Sequence, residues 1–375
     1  MKVLIMGKYF YPHPGGIERY THDLIQNISG KNSIKTLDCL VVSDTYCLET
    51  KKLSKGTLFK GGKIFTIFST PISLYHFRHV RQHKYDIIHL HLPNPLAIMV
   101  VFFIKPNAKL ILHFHAVHNK YKILDKLFTY FFMNKICEQS HAIIFTSEKI
   151  AEGSMFFKKY KNKIIINSLG IDFKYWSNES EVKEQVAMIK RKYTKKKVLF
   201  VGRLTHYKGI EYFIDSAQHV DAQFILVGSG TLASRLRRIP ENVFFAGEVD
   251  TKTLKAYYYS ADIVVLPSTS PSEAFGIVQL EAMACGKPII VTKIENSAIS
   301  EPIEKMGAYG LLIKPSSVTS LVQGIVLLLQ ESNLEINKLK CKENKNIVFE
   351  HYLIKKSADE ILKVYNTVFN AKSTC

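Results

Sequence analysis

The chain has 375 residues, 47% of them hydrophobic, and its 51 Lys and Arg against 32 Asp and Glu leave a net charge of +19. This length suits two domains with ample core, and the longest apolar run, Leu96 to Ile104, has only nine residues, far from the roughly 20 of a membrane-spanning helix. The opening "MKVLIMGKYFYPHPGG" lacks the apolar length and small-residue cleavage site of a signal peptide. Six scattered cysteines (Cys39, Cys47, Cys137, Cys285, Cys341 and Cys375) form no C-x-x-C pair, which argues for reduced thiols in a cytoplasmic chain and against a disulfide framework or zinc site.

The charge is uneven. Residues 1–180 carry 25 Lys/Arg against 12 Asp/Glu, a net +13, and the remainder 26 against 20, a net +6. Two readings are open: an anionic partner such as nucleic acid or a membrane surface, or a lysine-rich solvated surface with no partner.

In chain order, "KVLIMG" reads as a strand, followed by a Pro/Gly loop and a helix from about Gly16. Further strands are expected at "LDCLVVS", "YDIIHLH", "AKLILHFH", "HAIIFTS" and "NKIIINS". The pattern stops around Trp176, and "SNESEVKEQVAMIKRKYTKKK" reads as a polar linker with a surface helix. A second series then begins with "KKVLFVG", "AQFILVG", "NVFFAG", "ADIVVLP", "KPIIVT" and "YGLLIKP". β-Branched runs alternating with helical segments predict an α/β protein of two doubly wound parallel domains facing across a cleft. Ligands in such sheets bind beyond the carboxyl ends of the strands, so the loops there carry the candidate site residues.

In "YPHPGGIERY", Gly15 and Gly16 stand where the first helix begins, and paired glycines let backbone approach a ligand or simply form a loop. His89, His91, His113, His115 and His118 fall near two strand ends, with alternation placing His89 and His91 on one face and His113 and His115 likewise. No carboxylate or cysteine joins them at ligand spacing, so core or surface histidines with one functional member is the expectation, over a metal cluster. In "VLFVGRLTHYKGIEYFI", Gly202 is followed by Arg203, Lys208 and Gly209 and then by a helix, which either sets two fixed cations beside free helix N–H groups, suited to a diphosphate, or leaves both as loop surface charges. "ILVGSGTL" holds Gly228 and Gly230, a weak G-x-G that usually marks a tight turn.

The most specific stretch is "SEAFGIVQLEAMACGKP". It places Glu273 before a helix running from Gly276 to Ala284, and Glu281 on that helix among Ile277, Val278, Ala284 and Cys285. A carboxylate on that apolar face needs a hydrogen-bond partner. Either it holds a ligand, or Glu273 is a helix cap and Glu281 pairs with an internal arginine.

Taken together, "PGGIERY", "HFHAVH", "NSLGID", "VGRLTHYKG", "VGSGTL" and "SEAFGIVQLEAMACGKPIIVT", with its E-x7-E spacing, resemble the retaining glycosyltransferases of the GT-B fold, family four, over nearly the whole chain. "DIIHLHLPNPLA" is similar to the branch that builds bacterial surface polysaccharides such as the O-antigen of lipopolysaccharide, often with mannosyl or rhamnosyl transfer. The segment "TKIENSAISEPIEKMGAYG" departs from the family by lacking a short glycine-bearing loop, which leaves donor-sugar preference unread. The resemblance implies an acceptor-side domain over 1–178, a nucleotide-sugar domain over 179–355 and a tail over 356–375 packing back toward the first domain.

It further implies that Glu281 binds the ribose hydroxyls and Glu273 the hydroxyls of the transferred sugar. Arg203 and Lys208 would take the charge growing on the diphosphate, and His115 would stand close to the sugar. Gly15, Gly16, Gly202, Gly228, Gly230, Leu232, Phe275, Gly276 and Ile277 would complete the donor site. No protein nucleophile is implied, the departing phosphate oxygen itself deprotonating the acceptor. No D-x-D occurs in the chain, so no metal cofactor is expected on the diphosphate. A glycan or a polyprenyl-diphosphate-linked glycan is the expected acceptor, with the basic, aromatic-rich segment His118 to Gln139 either resting on the inner face of an anionic membrane or packing as an ordinary helix. Two other functions stand beside this one: a nucleotide-sugar epimerase of the same fold, for which no acid/base carboxylates are identified, and a nucleic-acid-binding protein, for which only charge speaks.

Overall fold

The computed structural model describes residues 1–67, 70–116, 127–232, 239–331 and 335–371. It comprises two compact units, Met1–Gly170 with Ile354–Cys375, and Ile171–Leu353.

The first unit is built on an eight-stranded sheet of β1 (Lys2–Met6), β2 (Thr36–Val42), β3 (Glu49–Leu53), β4 (Gly56–Gly61), β7 (Ile87–Leu92), β8 (Lys109–Phe114), β9 (Ala142–Phe145) and β10 (Ile164–Ile166), with β5 (Phe65–Ile67) and β6 (Thr70–Ile72) forming a separate ribbon. The order is β10-β9-β8-β7-β1-β2-β4-β3, parallel except for the antiparallel edge strand β3. The inner strands are continuous apolar runs because both faces are covered. Strands β3 to β6 fall in a stretch where no strand was expected. "ETKKL" in β3 is largely exposed and carries no alternation, as suits an edge strand defended by charge.

One face of this sheet is covered by the helix Gly16–Ser29 and the last helix, Ile354–Asn370, which pack on each other. The Tyr20 hydroxyl and Ser357 Oγ lie 2.8 Å apart between them. Asn167 also donates to the Ser357 carbonyl and hydroxyl, so the last helix is part of the first unit's core.

The second unit holds six parallel strands: β11 (Lys197–Val201), β12 (Gln223–Val227), β13 (Val243–Gly247), β14 (Ile263–Leu266), β15 (Ile289–Thr292) and β16 (Gly310–Ile313). Their order is β13-β12-β11-β14-β15-β16. Numbered from β11 this is 3-2-1-4-5-6, the doubly wound order whose crevice opens between strands 1 and 4. Val198, Phe200, Phe213, Phe224, Leu226, Val265 and Ile290 are among its core residues.

The polar stretch after Trp176 is not a free linker. Trp176 is buried; its carbonyl accepts from the Tyr259 hydroxyl at 3.0 Å, and its ring meets Tyr258 edge-on. The helix Lys183–Lys192 packs on Thr251–Ser260 through Val186 and Ile189. Lys255, fully buried, reaches Glu181 at 2.8 Å with its ammonium 4.4 Å from the Tyr175 ring centre. The charged pattern of this stretch is its outer side; the few apolar residues decide where it docks, and residues 171–178 accordingly go with the second unit.

Candidate active site

The loops that follow β11 and β14 stand side by side because those strands are neighbours. Gly209, at φ 70°, ends the turn His206–Lys208; a Cβ there would stand 1.9 Å from the Pro267 carbonyl oxygen, so only glycine allows this approach. The Thr269 N–H then donates to the Tyr207 carbonyl at 2.8 Å. The two loops are thereby stitched together.

Their convergence makes an ion pair between Lys208 and Glu273, whose side chains are 13% and 9% exposed. Ser268 Oγ donates to the same carboxylate oxygen at 3.1 Å. Burial disfavours the Lys208 ammonium, but the carboxylate of Glu273 outweighs it and raises the lysine above its ordinary value. Arg203, by contrast, is exposed, with its guanidinium 3.5 Å from the Tyr207 hydroxyl. Lys208 and Glu273 are brought together; Arg203 stays at the rim.

The loop after β15 also supports this site. Ser297 Oγ donates to the Glu273 carbonyl, and the Ala298 N–H donates to the Ala274 carbonyl at 2.6 Å. These residues lie in the segment that departs from the family, and nothing in its sequence marked them as props for Glu273.

Gly276, at φ 72°, caps the helix Ile277–Ala284, and a Cβ there would stand 3.5 Å from Glu273 Oε1. Phe275 is buried against Tyr352, with ring centres 5.6 Å apart. Glu281, 6% exposed, accepts a hydrogen bond from the Tyr258 hydroxyl at 2.7 Å. Burial, and then the neighbouring carboxylate, push the Tyr258 phenol well above its usual range, so it remains a donor. A tyrosine hydroxyl is thus one partner of Glu281, for which an internal arginine was the alternative foreseen. Tyr258 was invisible beforehand because it sits on a different helix, Thr251–Ser260.

Gly202 and Gly228 adopt φ 148° and 129°. A Cβ on Gly228 would stand 2.1 Å from the Gly202 carbonyl oxygen, and one on Gly230 2.4 Å from that of Leu204. Leu232 is buried in the core, its N–H donating to Leu204. Gly228, Gly230 and Leu232 therefore press the loop after β12 onto the loop after β11.

In the first unit, Gly15 is extended backbone ahead of the helix Gly16–Ser29. His115 follows β8 directly and is buried, its Nε2 3.1 Å from His91 Nδ1 and its ring stacked 4.2 Å from His113. Burial, and secondarily His91, hold its imidazole well below the usual range. His115 is thus neutral near pH 7. His89, His91 and His113 are buried beside it, while His118 lies outside the described residues.

A model for "Glycosyltransferase Family 4" matches residues 14–174, and one for "Glycosyl transferases group 1" matches residues 181–347. The chain is 26% identical, over the full length of both proteins, to an O-antigen chain mannosyltransferase C of Escherichia coli. It is 31% identical to an N,N'-diacetylbacillosaminyl-diphospho-undecaprenol alpha-1,3-N-acetylgalactosaminyltransferase of Campylobacter jejuni, across 61% of each chain. The structure of Anabaena Alr3699/HepE in complex with UDP-glucose superposes on it with a TM-score of 0.76 at 16% identity, covering 98% of this chain and all of that one. Fold and family models define the class, a glycosyltransferase of the GT-B fold. Within that class the chain belongs to the family 4 type.

Proposed function

We propose that the protein is a retaining hexosyltransferase, moving a hexose from a nucleoside-diphosphate sugar to a glycan or polyprenyl-diphosphate-linked glycan in cell-surface polysaccharide synthesis. The observation that carries this reading is the buried Lys208–Glu273 pair at the crevice between β11 and β14. An ammonium has three donors, so Lys208 can hold Glu273 and still donate to a phosphate oxygen as negative charge develops there. Glu273 is then aimed at the hydroxyls of the sugar, with Gly276 and the helix start beside it. Glu281, already oriented by Tyr258, is suited to accept from ribose hydroxyls. Arg203 at the rim supplies a second cation for the diphosphate, and neutral His115 a hydrogen bond to the sugar. Retention follows if the departing phosphate oxygen takes the acceptor proton on the same face.

The named relatives are sugar transferases acting on cell-surface or lipid-linked glycans by their titles, and they lend no support to the epimerase or nucleic-acid readings. Work at the inner membrane face fits the net +13 of residues 1–180. Part of the segment 118–139 lies outside the described residues; the part described exposes Leu127, Tyr130 and Phe131, and no helix among the described residues is long and apolar enough to cross a membrane.

The test is transfer by purified enzyme from a panel of uridine- and guanosine-diphosphate hexoses to a lipid-linked acceptor, with the product's anomeric configuration read by NMR. Release of nucleoside diphosphate with the donor's α-configuration kept is expected. An inverted product, or no release with any donor, would overturn the proposal.

A further inference from the structure

Strands β7 and β8 place three imidazoles in one spot. His91 and His113 are register partners across the two strands, and His89 lies two residues back on the same face as His91. One ligand nitrogen from each of the three lies within 4.8 Å of the others, and all three side chains are buried. His89 Nε2, His91 Nε2 and both nitrogens of His113 have no hydrogen-bond partner. Three buried imidazoles with unsatisfied nitrogens are costly unless something occupies the space between them.

Two of the three histidines are held through one nitrogen, while neither nitrogen of His113 has a partner. His89 Nδ1 lies 2.7 Å from the Tyr365 hydroxyl. His91 Nδ1 lies 3.0 Å from Thr21 Oγ1, and the Thr21 hydroxyl itself donates to the Ile17 carbonyl at 2.8 Å. Thr21 Oγ1 and, at 3.1 Å, His115 Nε2 both face His91 Nδ1; the tautomer in which Nδ1 donates to Thr21 leaves the unpartnered Nε2 with a bare lone pair. A ligating histidine shows this pattern, one nitrogen fixed by a hydroxyl or carbonyl and the other free for a metal.

We infer that His89, His91 and His113 form a buried site for one borderline divalent cation, of which zinc fits best. Imidazole nitrogens suit zinc, cobalt, nickel or copper, whereas magnesium, manganese and calcium prefer oxygen. Bonds of about 2.0–2.1 Å to a tetrahedral ion bring ligand nitrogens to roughly 3.3 Å of one another, and side-chain rotation covers the difference. Burial keeps all three imidazoles in the neutral form that binds metal. Through the His91–His115 contact the site also fixes the orientation of the residue proposed to face the sugar.

The test uses the full chain, stripped with a strong chelator and then titrated with Zn²⁺ against a chromophoric competitor. One equivalent is expected, unaffected by excess Mg²⁺, with Co²⁺ in its place giving the intense visible absorption of a tetrahedral ion. His113→Gln and His89→Gln should each weaken binding at least about a hundredfold, Tyr365→Phe about tenfold, and the control His22→Gln not at all. X-ray absorption on the wild-type zinc form should show imidazole nitrogens in the first shell, and it decides the matter even if a histidine variant fails to fold. Binding below a fifth of an equivalent would overturn the inference, as would a shell dominated by oxygen or affinity unchanged in His113→Gln and His89→Gln.

Discussion

The ammonium of Lys208 is ion-paired to the carboxylate of Glu273, one from the loop after β11 and one from the loop after β14. Removing either partner leaves the other charge buried, which costs stability beyond the loss of the pair itself. Glu273→Ala and Lys208→Ala are each expected to lower turnover by about two orders of magnitude or more. The double variant Lys208→Met/Glu273→Leu should melt at a higher temperature than either single variant while remaining inactive. Turnover within about threefold of wild type in both single variants would remove the pair from the catalytic centre.

Glu281 and Tyr258 make a separate prediction. Tyr258→Phe deletes the donor to a buried carboxylate and should cost about 1–3 kcal/mol in chemical denaturation. In kinetics it should raise the KM for the nucleotide sugar more than it lowers kcat, since the ribose is bound equally in ground and transition states. A kcat defect at unchanged KM would argue against a ribose role for Glu281.

Transfer is expected to proceed in excess EDTA at the rate seen with Mg²⁺ or Mn²⁺, because Lys208 and Arg203 supply two fixed positive charges for the diphosphate. Activity abolished by EDTA and restored by Mg²⁺ or Mn²⁺ would overturn this. Restoration by Zn²⁺ or Co²⁺ alone would point to the histidine site and leave the cationic clamp standing.

His76 and His79 set a pH limit on stability. Burial holds His76 at about 3 and His79 at about 4, the second aided by its neighbour His83. Above pH 6.5 both are neutral whether the chain is folded or not, and neither affects stability. As the pH falls below 6.5 the unfolded chain gains protons that the folded one refuses. Each group then removes about 1.4 kcal/mol per pH unit until its folded value is reached. His76→Asn should flatten the loss of stability between pH 6 and 4 by about that slope; an unchanged slope in urea denaturation would refute it.

Vesicles containing anionic lipid should retain the protein at low salt and release it at high salt, the attraction being screened over roughly 8–10 Å. Replacing Tyr130 and Phe131, both exposed, by Ser should weaken retention further. Equal binding to neutral and anionic vesicles would count against a basic membrane face.

Much of this protein was legible locally. Strands such as "KVLIM" and "KVLFV" are apolar runs that parallel sheets bury on both faces, and the glycines that punctuate them mark turns through their own backbone freedom. The charged edge strand Glu49–Leu53 was not legible, because its pairing depends on a neighbour and leaves no period in its own residues. The stretch after Trp176 misled for the opposite reason: its charges dominate the pattern, while Trp176, Val186 and Ile189 decide the docking. Spacing placed Glu273 and Glu281 eight residues apart around one helix start, and residue chemistry required each to have a partner. Which partner was a matter of tertiary structure. Lys208 meets Glu273 only because β11 and β14 are neighbours in the order 3-2-1-4-5-6, and Tyr258 reaches Glu281 from a helix that the local pattern cannot orient. The histidines follow the same rule. Alternation put His89 with His91 on one face, but the register of β7 against β8 was needed to bring His113 opposite His91 and close the cluster.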